Sequence, residues 1–197
     1  SFRTDSFSVY TIVSYGDPTA LDGKTYALVS PLQGTGTMAG LLAKAHASYS
    51  GRLQAATCVE YTKPYLYLSS DQDLTMWTFT SAGSGKYYIQ ADTGQYLSIS
   101  KNAISLSQTG QAITVQTSTS PNLVRLVYSQ KGKRSTETYS VDLYSGSVAN
   151  GFGQKNDNSV NEWFRLYGID QIDLSEKKTV RKISVQDLQD AQEVVLY

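Results

Sequence analysis

The sequence predicts an all-β protein assembled from three four-stranded units. Short runs of alternating apolar and polar residues follow one another from residue 8 onward, bounded by Gly, Asn, Asp and Ser turns, and no helical periodicity interrupts them for long. Polarity is carried by Ser, Thr, Gln and 15 tyrosines, while charged residues supply only 17% of the chain, below the usual quarter. Large apolar residues also recur at matching places: Trp77 and Trp163 stand two units of about 43 residues apart, a size that suits a repeated four-stranded element.

The strands are expected in three sets. The first comprises VYTIVS (9–14), KTYALVS (24–30), TMAGLLA (37–43) and MWTFT (76–80). The second comprises YYIQA (87–91), QYLSIS (95–100), AISLSQ (103–108) and ITVQT (113–117). The third comprises VRLVYS (124–129), TYSVDLY (138–144), SVANGFGQ (147–154) and EWFRL (162–166). Aligning the fourth strands puts Trp77, Val115 and Trp163 in one slot, and aligning the second strands puts Tyr26, Tyr96 and Tyr139 in register.

Three such units suit a closed barrel with a hairpin cap, which removes most sheet edges; the pattern resembles a β-trefoil. Two segments fall outside it. Residues 44–75 exceed a turn and read as an insertion between the third and fourth strands of the first unit, with a short helix around Leu41 to Tyr49. Residues 169–197 are dense in charge and read as a separate extension, a strand and then a helix opening near Ser184. The binding domain is thus expected over 1–168.

Lys plus Arg and Asp plus Glu are both 17, so no net field attracts nucleic acid or an anionic membrane surface. No apolar run approaches the roughly 18 residues that span a bilayer. The opening SFRTDSFSVY has neither an initiator Met nor a signal-peptide pattern, as expected of a piece of something longer. A single cysteine, Cys58, excludes an internal disulfide framework and sits among apolar neighbours, as a buried structural thiol does. Low cysteine with this composition suits a Gram-positive bacterial surface protein, so an extracellular location on the cell surface is expected.

The stretch YSVDLYSGSVANGFGQKNDNSVNEWFRLYG (139–168) resembles the ricin-type lectin repeat. SVDL supplies Asp142, SGSVANG a small-residue turn, FGQ supplies Gln154, and NEW ends on Trp163. The resemblance implies that Asp142, Gln154 and Asn161 would hold sugar hydroxyls. The departures are a short 150–163 loop, no aromatic after Gln154, Asn161 in place of the family's Gln, and no counterpart of Asp142 in the other units. The alternative is that Trp163 is core while Asp142 and Asn161 satisfy turn amides. More broadly, DGKTYALVS and GKYYIQADTGQYLSIS are similar in style to extracellular regions of large sortase-anchored surface proteins of gut Firmicutes. That resemblance implies an adhesin, with immunoglobulin as the named host partner.

Catalytic chemistry has little to build on. His46 is the single histidine and has no motif around it; Asp71 and Asp73 form an i, i+2 carboxylate pair without the glycine and later Glu of a calcium loop. QKGKRS (130–135) places three cations in a hairpin turn with no interleaved aromatics, the pattern of a soluble edge. The tyrosines of the 44–75 segment, Tyr49, Tyr61, Tyr65 and Tyr67, are the candidate contact residues, because Tyr offers large area, few rotatable bonds and a polar tip. The expectation is a non-catalytic module with no cofactor or metal, engaging a host protein; a glycan-binding lectin, a structural spacer and a hydrolase are the alternatives.

Overall fold

The computed structural model describes residues 21–32, 37–62, 65–68, 74–118, 123–132, 135–155 and 159–173. Its strands are β1 (Thr25–Pro31), β2 (Thr37–Ala45), β3 (Leu53–Thr62), β4 (Tyr65–Leu68), β5 (Trp77–Gly83), β6 (Lys86–Ala91), β7 (Tyr96–Ile99), β8 (Ile104–Ser107), β9 (Ile113–Thr117), β10 (Leu123–Lys131), β11 (Thr136–Leu143), β12 (Phe152–Lys155), β13 (Trp163–Tyr167) and β14 (Ile172–Asp173). Among the described residues the only helices are single 3-10 turns.

Six strands close into a barrel. β1 pairs with β5, β5 with β6, β6 with β9, β9 with β10, β10 with β13, and β13 returns to β1, every pair antiparallel. Three hairpins, β2–β3, β7–β8 and β11–β12, each continue from a barrel strand, through the pairs β1–β2, β6–β7 and β10–β11. This is a β-trefoil: each unit contributes two barrel strands and one cap hairpin, and the closed ring leaves no barrel edge to aggregate.

The pairing registers fix which residues correspond. Tyr26, Tyr87 and Val124 form one threefold layer on the first strands and Leu28, Ile89 and Leu126 the next. On the fourth strands Trp77, Ile113 and Phe164 form a layer, as do Phe79, Val115 and Leu166. All twelve are buried in one core with the hairpin residues Leu41, Leu97 and Val141. Beneath them Leu53, Ile104 and Phe152, each the first residue of its hairpin's return strand, bring the three hairpins together. Alternation along β6, whose Tyr87, Ile89 and Ala91 are buried between more exposed neighbours, is what a strand with one wet face requires.

Several expectations need correcting. KTYALVS is the first strand of its unit, because β1 pairs with both β5 and β13 in the barrel; Tyr26 therefore has no register with Tyr96 and Tyr139. The expected strand at 9–14 lies outside the described residues. Ile113 and Phe164, and not Val115 and Trp163, share the slot of Trp77: Val115 lies one layer further along its strand, and at Trp163 a slip of one residue exchanges the faces. Trp77 is sealed and donates its indole N–H to the Leu41 carbonyl at 3.1 Å, whereas Trp163 is part-exposed. Leu41 to Ala45 is strand and not helix. Residues 53–62 of the expected insertion are the third strand of the first unit, paired along β2.

What departs from threefold symmetry is smaller and has a physical role. β1 and β2 are buried on both faces by mostly apolar residues, whereas β6 and β7 alternate and the second face of β10 and β11 carries the polar Arg125, Ser140 and Asp142. The second face is covered by β4, Leu74 and β14, forming a side cluster of Val29, Met38, Cys58, Leu66, Leu74, Tyr167 and Ile172. β14 runs parallel to β4, so the domain continues past Gly168 to Asp173. The expected helix near Ser184 lies outside the described residues.

Candidate functional site

The 139–168 stretch is held by a buried polar network. Arg125 reaches from β10 across to Glu162, whose carboxylate has no exposed surface, and the two form an ion pair. Ser140 on β11 accepts from Arg125 Nη2 at 3.2 Å and lies within donating reach of both Glu162 and the Lys155 carbonyl at 2.9 Å. Ser159 caps the 3-10 turn Val160–Glu162: its hydroxyl donates to Asp142 Oδ2 at 2.8 Å and accepts from the Asn161 amide at 3.2 Å. Ser30 on β1 adds a bond to the Asn161 carbonyl at 3.4 Å. A buried pair survives only with such bonds around it.

The resemblance-derived trio thus has a structural setting. Asp142 has 0% exposure, so a sugar hydroxyl arriving from solvent does not meet its carboxylate, and its partner Ser159 belongs to the turn. Asn161 braces the same turn through its backbone, and its side chain lies beside Gly146. Gln154 is part-exposed on β12, paired with Val141. The three lie on neighbouring pieces of one unit, and the geometry serves the frame.

A second grouping lies where two hairpin turns meet. The β2–β3 turn (46–52) packs on the β11–β12 turn (144–151). His46 Nδ1 accepts from the amides of Ser48 at 3.1 Å and Tyr49 at 3.3 Å, so Nε2 carries the proton and donates to the Ala149 carbonyl at 3.0 Å. Both ring nitrogens are spent on structure, which leaves none for a base. Gly151, at φ +65°, permits the approach: a Cβ there would collide with the Leu53 carbonyl and lie 2.6 Å from His46 Cδ2. Arg52 donates Nη1 to the Asn150 carbonyl at 3.1 Å, and its guanidinium carbon lies over two rings, 4.5 Å from the Tyr49 centroid and 3.5 Å from that of Tyr144. Tyr49 also leans on His46 at 4.8 Å and remains 41% exposed, one of few large apolar side chains on the described surface that are.

Of the tyrosines singled out in the sequence, Tyr49 therefore stands on this surface. Tyr61 is placed by its backbone on β3, and Tyr65 and Tyr67 on β4; their side chains lie outside the described residues, as do Asp71 and Asp73. The contributions of Arg52 and Tyr144 were missed because 44–75 was read as an insertion, not as a strand and turn of the repeat. The signal was present in YSGRLQAATC, a Ser-Gly turn followed by β alternation. Cys58 is sealed in the side cluster, where burial pushes its thiol up to about 12 and leaves it unreactive.

No family model matches the chain, and no curated protein matches it. Among solved structures it is similar to ThreeFoil, a designed 3-fold symmetric protein, with a TM-score of 0.47 and 20% identity over 75% of this chain and 100% of that one.

Proposed function

We propose that this β-trefoil is a non-catalytic binding module of a bacterial cell-surface protein, and that its ligand is a host protein met through the face built by the 46–52 and 144–151 turns. The observation that carries the reading is the Tyr49–Arg52–Tyr144 stack, an exposed aromatic and a cation held rigid on a closed scaffold. Tyr and Arg are the residues in which interface energy concentrates, and turns fixed by a rigid frame are where binding residues gather. The engaged ring nitrogens of His46 argue against hydrolysis, and the sealed Asp142 against the sugar frame. The outer location and the choice of immunoglobulin as first partner rest on the resemblance to sortase-anchored surface proteins.

The test immobilises the domain and measures capture of polyclonal immunoglobulin and of mucosal glycoproteins, before and after deglycosylation, by interferometry. Binding of immunoglobulin that survives deglycosylation and falls about 30-fold in Tyr49→Ala/Tyr144→Ala, as loss of about 2 kcal/mol at an aromatic hot spot implies, supports the reading. Capture that requires the glycan and is indifferent to the two tyrosines overturns it in favour of a lectin.

A further inference from the structure

The charge on this face is one-sided. The protein as a whole is neutral, yet the hairpin stretches 44–52, 100–103 and 144–151 carry Lys44, Arg52 and Lys101 and no Asp or Glu. These turns adjoin one another: the Ile104 amide donates to the Gly51 carbonyl at 2.9 Å, and Phe152 pairs with Leu53. Lys101 is occupied by Glu137 at 3.6 Å. Arg52 has no carboxylate among the described residues; of its nitrogens only Nη1 is bonded, to the Asn150 carbonyl.

The two remaining nitrogens, Nε and Nη2, form the side edge of the guanidinium. Arg52 is part-exposed, and neither nitrogen is sealed from solvent. Two parallel N–H groups at one edge match the two oxygens of a carboxylate. The rings of Tyr49 and Tyr144 hold the plane in place, so little side-chain entropy remains to be lost when that edge is bonded.

We propose that Arg52 is the anchor of a carboxylate-recognition site and that the partner protein presents an acidic segment, an Asp or Glu side chain docking on the Nε–Nη2 edge beside the exposed ring of Tyr49. This rests on the protein-binding reading above and names the chemistry of its partner. A carboxylate is preferred to a phosphate because one planar edge flanked by rings offers two donors in one plane, without a cluster of cations around it.

The test uses fluorescein-labelled oligoglutamate and oligoglutamine peptides of equal length, titrated with the whole domain at low salt and read by polarisation, with NMR of the Arg52 side-chain Nε–H. Oligoglutamate is expected to bind and shift that signal, and oligoglutamine not to bind. Arg52→Lys, which keeps the charge but loses the fork, is expected to weaken binding at least tenfold. Ala47→Glu, at an exposed turn position, is expected to abolish it with the Arg52 stack intact, so the result does not depend on how Arg52→Lys folds. Equal binding by wild type and Arg52→Lys, or shifts confined to residues away from the two turns, would overturn the proposal. So would an Arg52 shift produced by sialyllactose and not by oligoglutamate. Immunoglobulin capture by Arg52→Lys is measured in parallel: capture retained at full strength refutes the anchor alone, whereas no protein capture by the wild type refutes the broader reading.

Discussion

Replacing Trp163, Phe164 and Trp77 one at a time by Ala separates the barrel register found here from the one aligned tryptophans suggest. Phe164 and Trp77 occupy equivalent slots with 0% exposure, while Trp163 is part-exposed on the other face of β13. A buried aromatic of about 200 Å² at about 25 cal/mol per Å² contributes about 5 kcal/mol as an upper estimate, and measured Phe or Trp to Ala losses in cores run about 3–5 kcal/mol. Trp77→Ala also strips the Leu41 carbonyl of its bond, so it is expected near the top of that range. Phe164→Ala is expected about 1 kcal/mol below it, and Trp163→Ala about 1 kcal/mol in total. The assay is urea unfolding followed by circular dichroism, with midpoint and slope both fitted, since a changed slope would signal an altered unfolded state. A Trp163→Ala loss as large as that of Trp77→Ala, with Phe164→Ala tolerated, would refute the layer assignment.

Arg125→Met alone is expected to cost about 3–5 kcal/mol by stranding the buried Glu162 carboxylate, and Arg125→Met/Glu162→Leu to recover most of it; urea midpoints of the two proteins decide this. Gly151→Ala is expected to destabilise by more than about 1 kcal/mol, because it combines a positive φ with collisions at His46 and Leu53, and to increase hydrogen exchange in 46–52 and 144–151. The Tyr139 hydroxyl donates to Glu137, which pushes the phenol up to about 12; the same bond, with Lys101 nearby, holds Glu137 below the usual carboxylate range. The tyrosine's contribution is therefore complete below about pH 10 and lost as pH rises toward 12, while that of Glu137 is present above the ordinary carboxylate range and lost as pH falls below it. In Glu137→Gln the Tyr139 ring carbon, followed by NMR, should titrate nearer 10.

Much of the trefoil was legible in the sequence because the second unit obeys the period-2 rule cleanly and the third sets Arg125, Ser140 and Asp142 between its core residues: the strands expected at 87–91, 113–117 and 124–129 coincide with β6, β9 and β10 to within a residue or two. The first unit was read one strand out of step. Its strands are apolar on both faces, since β4 and β14 cover the outside, and continuous burial erases the alternation that marks register. Trp163 misled for a related reason: a single large residue signals a core slot only if its face is known, and Arg125, cross-strand from Trp163, fixes a face that only pairing reveals. The Arg125–Glu162 pair stands far apart in sequence, and the stack at Arg52 depends on two turns that no local pattern connects. The resemblance put Asp142 on a sugar, with a turn role as the alternative; its burial, which local sequence does not show, goes with the capped turn at Ser159.

The place where a bound protein touches the trefoil distinguishes the two-turn face from every other surface. Hydrogen exchange of the domain, alone and saturated with immunoglobulin, reads this segment by segment. Slowed exchange concentrated in 46–52 and 144–151, with β6 to β9 unchanged, is the expected footprint. Protection confined to β12 and the 159–162 turn, or spread along β6 to β9 with the two turns exchanging as before, would contradict it.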